Sequence, residues 1–244
     1  MIKRICFILF LIISQNILAK SINWNELGNS LQPFDILFEK TTFRITDRFI
    51  PGHFGHVFIY LGKRKDLCSN SQLSKSIDEN TTDSLIFVEA NLGGVRLTNI
   101  EQYLNADDLL VLRTPKFFLS TNKKVELIDF ISKQLGKPYD FLFDVHSNDK
   151  LICTELIYNC FDNLNWQTKS YLGKETLCPD DVAKTLLLNS FSIIKFYHNC
   201  KLVNQIKTEN KLYKLLTKPR FDLFNLHLFY SEIKENYRNF QWIK

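Results

Sequence analysis

LICTELIYNCF, residues 151–161, puts a cysteine at the head of a helical stripe. Cys153, Leu156, Ile157, Cys160, Phe161 and Leu164 recur at three- and four-residue spacing, so a helix starting near Cys153 turns that face inward. The first turn of a helix presents backbone N–H groups without intrahelical acceptors and the positive end of the dipole, both of which favour a thiolate. The same N–H groups suit an oxyanion formed during acyl transfer. Cys153 is therefore a candidate nucleophile, while a small cysteine on an inward face also reads as a core residue.

Upstream, GHFGHVFIYLG (residues 52–62) supplies histidine. His56, Phe58 and Tyr60 alternate with Val57, Ile59 and Leu61, and both sets are largely apolar, which predicts a strand covered on both faces. His56 enters that strand and is the candidate base, against the alternative of a structural strand histidine. His53 lies in a glycine-flanked turn and is expected to be solvated. The HxxH spacing invites a metal reading, but no acidic or cysteine ligand lies close in sequence and the setting is not a helical His-Glu-x-x-His. No metal or cofactor is expected. Glu89 closes the strand signal LIFVEA (85–90) before the turn Asn91-Leu92-Gly93-Gly94. A carboxylate there can accept the imidazole N–H and fix its tautomer, or it is simply the first exposed polar residue after the strand.

The rest of the chain frames these three. A short helix is predicted over 22–32 and a strand over 34–38 behind Pro33, followed by an irregular polar stretch over 42–50. Residues 63–83, rich in Ser, Asn, Asp, Lys and Thr, read as an exposed loop. A short strand at 95–97 precedes Thr98-Asn99-Ile100-Glu101, which has the form of a helix capping box, and another strand covers 109–113. Val125, Leu127, Ile128, Ile131 and Leu135 mark an amphipathic helix over 122–135, ended by Gly136 and Pro138. Residues 139–148 form a loop. Pro179-Asp180-Asp181 starts a further helix to about Leu188, and 191–197 alternates like a strand.

With 244 residues, 45% of them apolar and 14% aromatic, the chain can bury a sizeable core. Residues 1–19 stand apart: Lys3 and Arg4, an apolar run and a small-residue site at Ala19 read as a secretory signal peptide, too short in its apolar part for the roughly 20 residues that span a bilayer. Export to the periplasm, cell envelope or medium is expected. Cleavage takes Lys3 and Arg4 and leaves a formal charge of +3 in place of +5, too mild to indicate a nucleic-acid partner. Five scattered cysteines without CxxC spacing would remain, so no disulfide framework is expected. The main domain is expected over 20–203. From 204 to 244, Lys207, Lys211, Lys214, Lys218 and Arg220 precede FDLFNLHLFY, read as helices packed on the domain, with peripheral membrane contact as the less favoured alternative.

Taken in order, LQPFDILFEKTTFRITDRFIPGHFGHVFIYLG, VEANLGGVRL, QLGKPYDFLFDV, LICTELIY and LGKETLCPDDVAK, across roughly residues 31–200, resemble the permuted papain-like cysteine hydrolases of the YiiX/YaeF group within the NlpC-type superfamily. The resemblance implies an α+β, circularly permuted papain-like fold: a small, mainly antiparallel sheet packed against helices, with the histidine and acid strands ahead of the cysteine helix. It also implies Cys153 as nucleophile, His56 as base and Glu89 as the third member. Phe34 stands where such sequences usually carry Gly before Asp-Ile-Leu, and Thr154 replaces a common Ser. The expected activity is thiol-dependent hydrolysis of an amide or peptide bond in a small substrate, with cell-wall peptide ranked first. The alternatives are acyl transfer, lipid or thioester hydrolysis, or a ligand-binding module. Tyr139, in GKPYDF, either lines the substrate cleft or docks its loop by aromatic packing.

Overall fold

The structure, a computed structural model, describes residues 22–41, 50–67, 73, 84–141, 145, 149–171 and 174–217. The expected signal peptide and the stretch from 218 onward, including FDLFNLHLFY, lie outside the described residues.

Seven strands form one antiparallel sheet: β1 (Ile36–Lys40), β2 (His56–Lys63), β3 (Leu85–Asn91), β4 (Gly94–Asn99), β5 (Asp108–Arg113), β8 (Ser192–His198) and β9 (Lys201–Leu202), in the order β4-β3-β2-β1-β5-β8-β9. A separate hairpin, β6 (Lys169–Tyr171) with β7 (Lys174–Thr176), carried too little apolar alternation to be predicted. The fold is the expected α+β arrangement, with a sheet wider than the small one anticipated.

Period-two alternation sorts the strands onto two faces. Ile36, Phe38, Val57, Ile59, Val88, Leu110 and Leu112 face one cluster, into which pack α3 (Thr121–Gln134), α4 (Cys153–Cys160), α5 (Pro179–Leu188) and α6 (Gln205–Thr217). Leu37, Phe58, Tyr60, Phe87, Leu109 and Val111 face a second cluster, closed by α1 (Trp24–Ser30) and the 3-10 turn Ile100–Tyr103. Each central strand is buried on both sides, which explains their continuous apolar runs.

Several local expectations give way to tertiary packing. Phe34 lies outside β1, with φ 71° in the left-handed region that favours glycine. Its N–H donates to Tyr60 O at 2.6 Å, its carbonyl accepts from Thr114 Oγ1 at 2.6 Å, and its ring is buried. The backbone need that a glycine would meet is therefore still present, and burial of the aromatic ring offsets the strain. The predicted capping box is displaced: Thr98 stays in β4, and Asn99 accepts the N–H of Glu101 instead. Val125 is exposed although Leu127, Ile128 and Ile131 are buried, so the helix stripe is narrower than predicted. Within the expected exposed loop 63–83, Arg64–Leu67 is a short helix, α2, and both Leu67 and Leu73 are buried in the first cluster.

Candidate active site

The hairpin β3–β4 builds the acid. Asn91-Leu92-Gly93-Gly94 closes it, which sets the register Asn91↔Gly94, Ala90↔Val95 and Glu89↔Arg96. Gly94 has φ 91°, and a Cβ there would run into the Lys137 carbonyl. Val95 N–H donates to that carbonyl at 2.9 Å and Gly136 N–H to Val95 O at 2.8 Å, so the hairpin is tied to the segment that leads into Tyr139.

Glu89 is 2% exposed, so it is not a solvated residue at the end of its strand. Its Oε2 receives His56 Nε2 at 2.8 Å and Tyr103 OH at 3.0 Å; its Oε1 receives Asn91 Nδ2 at 2.7 Å and Arg96 Nε at 3.0 Å. Burial alone would raise this carboxyl, but the hydrogen bond and charge of His56, with those of Arg96 and Tyr103, outweigh it and hold the pKa near about 2.

His56 is the first residue of β2, paired with Glu39 on β1. Its ring stacks on Phe58 (5.8 Å between centroids) and Tyr103 (6.5 Å) and is buried. Nε2 is engaged by Glu89, and Cys153 lies close enough to act on the same ring. Desolvation pushes the imidazolium down; the hydrogen bonds and negative charges of Cys153 and Glu89 outweigh it and raise the pKa to about 10. An imidazolium held by the Glu89 carboxylate is the protonation state that pairs with a thiolate nucleophile.

Cys153 opens α4, as the stripe predicts, and is 4% exposed on the inward face. The helix start is held from three directions. Ile152 N–H donates to Glu155 Oε2 at 2.9 Å, Thr154 Oγ1 donates to Leu177 O at 3.0 Å, and Leu151 N–H donates to Pro138 O at 3.1 Å. The Thr at 154 thus keeps the hydroxyl that a serine would supply. The last bond brings the loop 136–140 alongside, with a bridge between Tyr139 and Leu151. Tyr139 packs edge-on against Phe141 at 5.2 Å, and burial first, then the charge of Cys153, raises its hydroxyl pKa. It is both a docking aromatic and a neighbour of the thiol.

Two of the other described thiols, Cys160 and Cys178, are held protonated. Burial raises Cys160 to about 12; burial and Asp181, whose Oδ2 accepts the Cys178 thiol at 2.8 Å, raise Cys178 to about 12. Both remain protonated and unreactive at neutral pH.

Residues outside the predicted set complete the site. Tyr103 lies flat on Phe58 at 3.8 Å and reaches Glu89 from the 3-10 turn, a contact with no local signature in sequence. Arg96 was legible in principle from the hairpin register. Asp180, in the first turn of α5, accepts the N–H groups of His53 (2.6 Å) and Phe54 (2.9 Å) and so clamps the turn that delivers His56. Gly52, at φ 109°, leaves the space for that carboxylate. His53 itself is buried, against the expectation of a solvated turn: its Nε2 meets Asp108 Oδ2 at 2.6 Å. The two histidines of HxxH thus serve different clusters.

A groove of about 1210 Å³ between β8 and α6 is lined by none of Cys153, His56 or Glu89. The convergence of thiol, imidazole and carboxylate locates the candidate site, and groove size does not. Among the described residues, no helix is long and apolar enough to cross a membrane.

No functionally curated protein matches the chain. A solved structure described as metalloprotein yiiX from Escherichia coli O157:H7 is similar at 17% identity and TM-score 0.49, over 68% of this chain and 97% of that one. The family described as permuted papain-like amidase enzyme, YaeF/YiiX, C92 family, matches residues 30–216, the whole span from β1 to α6. The chain belongs to this family of permuted papain-like amidases and is a cysteine hydrolase.

Proposed function

We propose that the chain is an exported amidase or peptidase that cleaves an amide bond in a small peptide substrate, cell-wall peptide foremost, through Cys153, His56 and Glu89. The observation that carries this reading is one buried imidazole bonded to Glu89 through Nε2 and set beside Cys153, the first residue of a helix. Cys153 Sγ attacks the carbonyl carbon, and the oxyanion is met by N–H groups of the first turn of α4. His56 Nδ1 gives its proton to the leaving amine as the C–N bond breaks. Water, deprotonated by the now neutral His56, then attacks the thioester and releases the acid and the free thiolate. Glu89 keeps the ring oriented and offsets its positive charge throughout. In this reading Tyr139, whose hydroxyl burial and the neighbouring Cys153 keep protonated, contacts the substrate.

The test is mass spectrometry of the protein incubated with peptidoglycan-type peptides and with a thiol-directed acyl probe. The expected result is a covalent adduct on Cys153 and release of an amine, both lost in Cys153→Ala with the circular dichroism spectrum retained. Undiminished amine release by Cys153→Ala would sink the scheme. For export, N-terminal sequencing of secreted material should begin at Lys20, and retention of residues 1–19 would count against a cleaved signal.

A further inference from the structure

Asp108, the first residue of β5, is 2% exposed, a position where a carboxylate needs strong partners. Its Oδ2 is met at 2.6 Å by His53 Nε2, from the turn before β2, and at 2.7 Å by His198 Nδ1, from the end of β8. Oδ1 accepts the backbone N–H of Asn199 at 2.7 Å. One nitrogen from each ring and one carboxylate oxygen lie within 4.8 Å of one another, and the ring centroids are 6.1 Å apart.

We propose that His53, Asp108 and His198 form a binding site for a divalent transition ion of the Zn²⁺ class, separate from Cys153, His56 and Glu89, which pins the turn delivering His56 to strands β5 and β8. Two imidazoles and a carboxylate are a ligand set that zinc accepts, with a fourth position left for solvent. The donors come from three segments fixed independently. Asp180 holds the backbone of His53 and Phe54, β5 is interior to the sheet, and the two-residue turn Asn199-Cys200 fixes the end of β8. That turn has φ 50° and 59° at its two residues, the hairpin geometry that sets the orientation of His198 relative to Asp108. The Asn199 N–H bond orients the ligating carboxylate, as outer contacts in metal sites do.

An entry path exists on one side. His53 and Asp108 are closed off, but the His198 side chain is 20% exposed and borders a cavity of about 370 Å³, together with Asn199, Lys201 and Lys211. The lysines favour an anionic or hydroxide fourth ligand over a further cation. Binding displaces the ring protons that face Asp108 and replaces two hydrogen bonds with coordination to one ion. Three residues apart from His53 in sequence, His56 then inherits a turn anchored on both flanks, by Asp180 and by the ion.

The test uses the full chain, stripped with a chelator and titrated with Zn²⁺ alone, with bound metal measured after gel filtration and the melting temperature measured alongside. Wild type and Cys153→Ala should each retain one equivalent and melt higher with zinc. Asp108→Asn and His198→Gln should each bind more than about 100-fold more weakly, exceeding the loss typical of outer-shell changes. His198→Gln, at a partly exposed turn, carries the comparison if Asp108→Asn does not fold. Co²⁺ should give visible d–d bands without a thiolate charge-transfer band. Failure of wild type to retain zinc overturns the proposal. So does loss of binding in Cys153→Ala with full binding in His198→Gln, which places the ion at the catalytic thiol.

Discussion

Glu89→Gln separates the charge of the acid from its shape. Glutamine has one carbonyl oxygen, whereas Glu89 divides its four donors evenly, His56 and Tyr103 on Oε2 and Asn91 and Arg96 on Oε1. Arg96 is 42% exposed on its side chain and can turn to water; His56 and Tyr103 are buried and cannot. The glutamine oxygen therefore faces His56 and Tyr103, and the ring keeps its orientation. At the imidazole only the charge is lost, while Asn91 and Arg96 lose their acceptor on the other side. Exchanging a charge-assisted hydrogen bond for a neutral one removes about 1–2 kcal/mol, which corresponds to about one unit in the imidazole pKa. His56, raised to about 10 in the wild type, should titrate about one unit lower in the variant. The sign for stability follows. A raised histidine pKa contributes stability that is complete below the unfolded value of 6.5 and is lost as pH rises through about 10, so Glu89→Gln should lose that contribution at a lower pH. The assay is carbon-13 NMR titration of labelled histidine, read beside thermal melts across the same range. A His56 midpoint unmoved by Glu89→Gln would refute the assignment of Glu89 as the group that holds the imidazolium.

Three further outcomes follow from the same contacts. Iodoacetamide at neutral pH should label Cys153 while sparing Cys160 and Cys178, whose thiols are pushed up to about 12; equal labelling of all three in native protein contradicts the account of the site. Phe34→Ala should destabilise by about 3–5 kcal/mol through loss of a buried ring, and Phe34→Gly by about 1 kcal/mol less because it also relieves the positive φ; urea melts showing alanine the milder change would remove the strain argument. Gly94→Ala should cost more than about 2 kcal/mol, the upper range of ordinary single changes, because the new Cβ meets the Lys137 carbonyl, and a near-neutral urea midpoint would show that the hairpin and the 136–139 segment part easily.

The central strands were legible because burial on both faces leaves no polar alternation, and the cysteine helix because its stripe begins at Cys153 itself. Cys153, His56 and Glu89 were each ambiguous locally and became a set through the order of the blocks around them. What stayed hidden depends on side chains meeting across long separations. Tyr103 reaches Glu89 from a 3-10 turn whose start, Asn99, is one residue past the predicted cap. Asp180 looked like an acidic residue in the first turn of a helix, and its carboxylate instead holds two N–H groups 126 and 127 residues away.

His53 shows the division most plainly. Its chemistry was readable as an HxxH member, but nothing nearby in sequence marks Asp108 or His198 as its neighbours, 55 residues from His53 and 90 from Asp108 respectively. Periodicity determines which face a residue occupies, since that depends only on the local repeat of helix or strand. Which polar groups converge on one buried point depends on strand order, and here β1, β5 and β8 stand side by side although β8 follows β5 by most of the helical half of the chain. The place of Cys153 at the head of an inward-facing helix was written in the local pattern of residues 151–161; its neighbours, and the second cluster beside them, were decided by the sheet.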